Sequence, residues 1–176
     1  MRWNPTLASL PLLLLGCGLL SFSVRESAVT TIEGAGILGP VLDVFDLTGL
    51  DGFDVAIEQE MADQGVEPGD LRSVELTELV LQAEPDLSFI DELTISVSAP
   101  GVPEVVVAEG LSFPEGQSRV ELAMTGENIA DHVAAGDMSF RVDATGVSPE
   151  DDTDVTVDVA VRVEATAQGA CNAAKR

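Results

Sequence analysis

The stretch Val155-Thr156-Val157-Asp158-Val159-Ala160-Val161-Arg162-Val163-Glu164 places valine at every second position five times in succession. Successive side chains of a β-strand point to opposite faces, so a strict period of two predicts a strand with one apolar and one wetted face. A strand with two such faces belongs to an antiparallel sheet that covers a core on one side.

The same rhythm recurs upstream. Phe22, Val24, Glu26, Ala28 and Thr30 alternate with Ser23, Arg25, Ser27 and Val29. Leu93, Ile95 and Val97 alternate with Thr94, Ser96 and Ser98, and Val120, Leu122 and Met124 do so with Arg119, Glu121 and Ala123. Met138, Phe140, Val142 and Ala144 repeat it opposite Ser139, Arg141 and Asp143. Val105-Val106-Val107 predicts a further short strand, and Phe53, Val55 and Ile57 predict another.

One segment changes phase. Val74 and Leu76 share one parity, whereas Leu79, Leu81 and Ala83 take the other. A strand cannot bury both sets unless one extra residue is inserted, which predicts a bulge near Thr77-Glu78. Between the strands stand turn signals such as Pro68-Gly69-Asp70, Pro100-Gly101 and Pro114-Glu115-Gly116. One or two short helices are expected, Glu60–Gln64 ending at Gly65 and Glu127–Ala135 stopped by Gly136, while Ile37–Phe45 reads as a short helical turn or irregular coil. Seven or eight short strands so spaced predict an antiparallel β-sandwich, immunoglobulin-like in shape, with a small β-barrel as the alternative.

The chain has 176 residues, enough for one domain with its own core. With 31 Asp+Glu against 8 Lys+Arg it carries a net charge of −23, which repels phosphate backbones and excludes nucleic acid as a partner. That charge equally opposes adhesion to anionic lipid, so any membrane attachment must come from a covalent lipid.

Leu14-Leu15-Gly16-Cys17 closes an apolar run, Leu7–Leu15, that is interrupted by Pro11 and too short to span a bilayer as a helix. It resembles the lipobox of bacterial lipoproteins, with a Leu three residues before the Cys and a small residue just before it. The resemblance implies that residues 1–16 are a signal peptide, that Cys17 becomes the lipid-bearing N-terminus, and that 17–176 is a single domain in the cell envelope. Gly18 after the anchor, where Asp does not stand, implies the outer membrane; secretion is the alternative. No Ser/Gly/Pro-rich tether follows Cys17, so the first strand should begin close to the bilayer. On this reading no disulfide framework is expected, and Cys171 is expected to be a bland terminal thiol.

No arrangement for catalysis is legible. His132 is the chain's one histidine, expected on the surface of a small helix, and no Gly-x-Ser-x-Gly elbow accompanies any serine. One His and two Cys do not make a zinc or copper site, and no phosphate-cradling glycine loop occurs. Calcium is the one metal to weigh, because hard oxygen ligands from loops suit it. Asp46, Asp51 and Asp54 stand in one turn-rich stretch, and Glu150, Asp151, Asp152 and Asp154 in another, though neither has EF-hand spacing. The expected function is a non-enzymatic envelope lipoprotein with a structural or protein-binding role. Its alternatives are a carrier holding an apolar ligand between the sheets and a calcium-dependent adhesion module.

Overall fold

In the computed structural model, residues 20–34, 41–46 and 53–174 are described, those of 41–46 by their backbone alone. The valine-rich stretch is the strand β9 (Thr153–Ala165), and all five of its alternating valines are buried. It lies between β1 (Ser21–Ile32) and β3 (Leu71–Ala83), antiparallel to both, and β6 (Arg119–Glu121) completes a sheet of order β1-β9-β3-β6.

The second sheet has the order β2-β8-β4-β5-β7, built from β2 (Val41–Asp46), β4 (Ile90–Ala99), β5 (Val102–Gly110), β7 (Ala123–Met124) and β8 (Ser139–Val147). Every ladder is antiparallel, and the sheets remain separate, so the fold is a β-sandwich and not a closed barrel. The two-sheet shape is shared with immunoglobulin domains. The path of the chain is that of a jelly roll: most successive strands change sheet, β4–β5 form a hairpin within one, and β7 and β8 share a sheet without pairing.

The apparent single strand around Val120–Met124 is divided by this path. β6 pairs with β3 in the first sheet, β7 pairs with β5 in the second, and buried Leu122 lies at the crossing. The core is one continuous cluster fed by both inner faces, from Val74, Leu79 and Leu81 on one side to Leu93, Ile95 and Phe140 on the other. The phase change in β3 is a bulge, with a register shift between Leu76 and Glu78 against β9. The inserted Thr77 turns outward and donates its hydroxyl to the Ala160 carbonyl at 3.2 Å. Both valine–leucine sets are thereby buried.

Two expectations fail. Phe53, Val55 and Ile57 are not a strand but the first turns of α1 (Phe53–Asp63). Phe53, Ile57 and Met61, spaced by four, are all buried, while Val55 is 59% exposed. The helix ends as the sequence suggests. Gly65 adopts φ 70°, and Val66 N–H donates back to the Met61 carbonyl while Gly65 N–H donates to Ala62. This six-to-one closure needs a left-handed residue, which glycine supplies without strain. Secondly, Val41–Asp46 is β2, a strand paired with β8, and not a helical turn or coil. Its state is decided by a partner strand about a hundred residues away, and the ladder is irregular between Leu42 and Val44.

The other short helices are α2 (Ala130–Ala135), closed by Gly136 at φ 70°, and α3 (Ala167–Ala173) at the C-terminal end.

Candidate functional site

The first and last strands among the described residues pair along the β1–β9 ladder. Ser21 stands opposite Glu164, and just beyond it Ala165 N–H donates to the Leu20 carbonyl at 2.9 Å. From there the chain turns into α3. Thr166 N–H donates to the Asp70 carbonyl at 2.7 Å, and the Thr166 hydroxyl caps the helix by accepting from Gly169 N–H at 3.1 Å. Gly169 is packed so closely on Asp70 that a Cβ there would lie 2.5 Å from the Asp70 Cβ. α3 is therefore fixed on the 3-10 turn Pro68–Asp70 by a cap, a backbone bond and a contact that admits only glycine.

This end of the molecule corrects the expectation of a bland terminal thiol, because Cys171 on α3 is disulfide-bonded. The chain holds one other cysteine, Cys17, which lies outside the described residues, as does the whole lipobox-like stretch.

Beside it runs the outer edge of β1. The strand is twelve residues long and is paired with β9 on one side, at the end of the sheet order. Val24 and Ile32 are its buried side chains, and Val29 is 59% exposed. Glu26 has the parity of the core-facing residues yet is exposed, an inward charge of the kind that discourages indiscriminate edge pairing.

The outer face of this sheet collects charge of both signs. Arg25 of β1 and Arg119 of β6 flank Glu78 of β3, at 3.6 and 4.0 Å. Arg72 approaches Glu164 at 3.8 Å. Together with Arg162 these place four of the five described arginines on one sheet. An open groove of about 420 Å³ runs past Arg25, Ser27, Glu78 and Asp158. Buried Val159 and Ala160 also line it. The pairs are half exposed, so each contributes little to stability.

The acidic stretches do not converge. Asp152 accepts from Gly34 N–H at 2.9 Å and Asp154 from the Thr31 hydroxyl at 2.6 Å, so both carboxylates hold the far end of β1. The Asp151 carbonyl accepts from Thr153 Oγ1, and Glu150 is exposed in the same loop. Asp54 accepts from Val55 N–H in the first turn of α1. Asp46 ends β2, and Asp51 lies outside the described residues. Among the described residues no three His, Cys, Asp or Glu side chains are grouped to hold a metal.

His132 is the residue most misread from sequence. It is 3% exposed, and its Nε2 lies 2.9 Å from the Pro103 carbonyl, which requires Nε2 to carry the proton. Nδ1 is buried without a hydrogen-bond partner. The imidazole locks α2 onto β5 from within the molecule. A six-residue helix shows too little periodicity for its buried face to be read in advance.

One carboxylate has a shifted affinity for its proton. Asp86 is held below its ordinary value of 3.8, first by the Ser88 hydroxyl at 2.6 Å, then by Ser88 N–H and Gly116 N–H at 3.0 and 2.8 Å. It ties the turn after β3 to the turn before β6.

No family model matches the chain, and no curated protein matches it. Among solved structures, it is similar to a chain of Tomato aspermy virus, with 10% identity over 79% of this chain and 76% of that one and a TM-score of 0.30. The decameric BFDV capsid protein matches at 7% identity over 85% and 100%, with a TM-score of 0.37. A virus-like particle of the Macrobrachium rosenbergii nodavirus matches at 7% over 94% of each chain, with a TM-score of 0.29. Scores this low carry no argument; the sandwich rests on its own ladders.

Proposed function

We propose that this chain is an exported, non-enzymatic protein of the cell envelope, held at the outer membrane by a lipid on Cys17 and serving a structural or protein-binding role. The observation that carries the reading is the position of β1. It begins at Ser21, just past Cys17, and is the outermost strand of its sheet. Removal of residues 1–16 would leave every described element intact, and the lipid would set the sandwich against the bilayer without a stalk. The net charge of −23 gives the body no electrostatic affinity for anionic lipid, so the anchor would supply the attachment.

In this reading the outer edge of β1, which pairs with no further strand among the described residues, is the surface for a partner, which would add an extended strand through backbone hydrogen bonds. His132, the one imidazole, is buried and engaged with Pro103, which speaks for a structural role. The calcium-dependent alternative is weakened because Asp152 and Asp154 already hold Gly34 and Thr31. A carrier needs an apolar chamber between the sheets, whereas the groove beside Arg25 is open and lies on the outer face.

Fatty-acid labelling followed by intact mass of the wild type and Cys17→Ala tests the reading. Label is expected on the wild type and absent from Cys17→Ala. Label that persists in the variant, or a wild type that carries none, rejects it.

A further inference from the structure

We propose that two copies of this chain join edge to edge along β1, each strand running antiparallel to its counterpart across a two-fold axis at Ser27. The inference rests on the reading above that the outer edge of β1 receives a partner, and it names that partner as a second copy.

The register of β1 fixes which of its groups face outward. Ala165 N–H donates to the Leu20 carbonyl, so Leu20 and Ala165 form a hydrogen-bonded pair. The unbroken ladder gives the same role to Phe22, Val24 and every second residue as far as Ile32. Ser23, Arg25, Ser27, Val29 and Thr31 therefore turn their N–H and C=O groups away from β9, and all five are exposed. Among the described residues no strand takes up those groups. Edge strands are usually blunted by proline, lysine, a bulge or brevity, and β1, twelve residues in continuous register, has none of these. It is also a neutral strip, with one arginine and one glutamate, on a chain of net charge −23, so two copies repel least there.

Two constraints select the register. The sheet must continue with its outer face outward, which sets odd-numbered residues opposite odd-numbered ones. Like charges must not stand directly opposite. An axis at Arg25 or Glu26 sets that residue against its own copy. An axis at Ser27 sets Arg25 opposite Val29, Glu26 opposite Ala28 and Phe22 opposite Ile32 of the second copy. Axes beyond Ser27 shorten the overlap and give up the meeting of Phe22 with Ile32. The register at Ser27 also lays the stem of Arg25 over Val29, which is 59% exposed. Glu26 thus acts as a selector: it rejects the face-to-face register and accepts this one, where its own copy stands a diagonal place away. One strand pair buries little area, so the dimer is weak and dissociates on dilution.

Native mass spectrometry of the full-length chain, released from detergent micelles over a range of protein concentrations, reads the oligomeric state and lipid content of each species together. Wild type is expected as monomer and dimer, with the dimer fraction rising with concentration. Ser27→Pro removes the central outward N–H and spares the ladder with β9, so it should be monomeric with an unchanged far-ultraviolet circular dichroism spectrum. Val29 is exposed, so its variants keep the fold. Val29→Glu sets a carboxylate opposite Arg25 of the second copy and should tighten the dimer several-fold, although it adds negative charge. Val29→Lys should weaken it by a similar factor. A wild type that stays monomeric at every concentration overturns the pairing. So does a dimer indifferent to Ser27→Pro, or one that both Val29 variants move in the same direction. A dimer without lipid sinks the lipoprotein reading while the pairing stands; lipid-bearing monomers alone do the reverse.

Discussion

β1 and β9 run side by side in an unbroken register of twelve residues, yet they are held by different forces. β9 is paired on both edges and buries Val155, Val157, Val159, Val161 and Val163. β1 is paired on one edge and buries Val24 and Ile32. Backbone hydrogen bonds place both strands equally well, but their net contribution is modest because water offers the same bonds to the unfolded chain. Burial of apolar surface is what differs, and it makes β9 part of the core and β1 a strand clipped to its side. β1 is accordingly reinforced at its ends: by Leu20 with Ala165 at one, and by Asp152 and Asp154 with Gly34 and Thr31 at the other.

The contrast can be broken by substitution. The largest effect is expected from Val161→Asp on β9, where an unpaired carboxylate would occupy a fully buried site. A loss of about 4–5 kcal/mol or more should leave little folded protein in a urea titration read by circular dichroism. Next, Cys171→Ala in the disulfide-bonded form should cost about 2–4 kcal/mol in the same titration, the usual loss when a native disulfide is removed. Equal stability of variant and oxidised wild type would show that α3 does not depend on a covalent clamp.

On β1 itself, Val24→Ala removes two methyl groups from the margin of the core and should cost about 1.5 kcal/mol. A loss as large as that of Val161→Asp would erase the distinction between the strands. Away from both, Asp86→Asn removes a carboxylate whose folded-state pKa is depressed by the Ser88 hydroxyl and two backbone N–H groups. Such a group stabilises the fold above the unfolded value of 3.8, and the contribution is lost as pH falls through the lowered folded value. Wild type and Asp86→Asn should differ in melting temperature at neutral pH and converge in acid. The smallest effect is expected from Val29→Asp on the exposed face of β1, within about 0.5 kcal/mol of wild type by thermal melt.

The same contrast explains how far the sequence could be read. β9 is legible because five valines in strict alternation leave no competing period. The β3 bulge is legible because Val74 and Leu76 against Leu79 and Leu81 cannot share a face by any other means. α1 escaped because Phe53 and Ile57 satisfy periods of two and four alike, and only Met61 and the exposed Val55 separate them. β2 and His132 escaped for a common reason: a ladder with β8 and a place beneath β5 are conferred by residues distant in the chain. The Cys171 bond escaped because the lipobox-like reading left Cys171 without a partner in the chain. Acidic residues gave the weakest guidance, since 31 of them offer chance clusters anywhere.

The position of β9 also sets an order of events. Among the described residues the strand that joins β1 to β3 is the last of nine, and β1 is the first. While a ribosome still holds Thr153–Ala165, the first sheet lacks its middle: β1 has no ladder, and β3 has only its short one with β6. The long-range pairing must wait for the final segment. Until then the first sheet stays open at its centre, and the sandwich closes only once nearly all of the chain is free to pair.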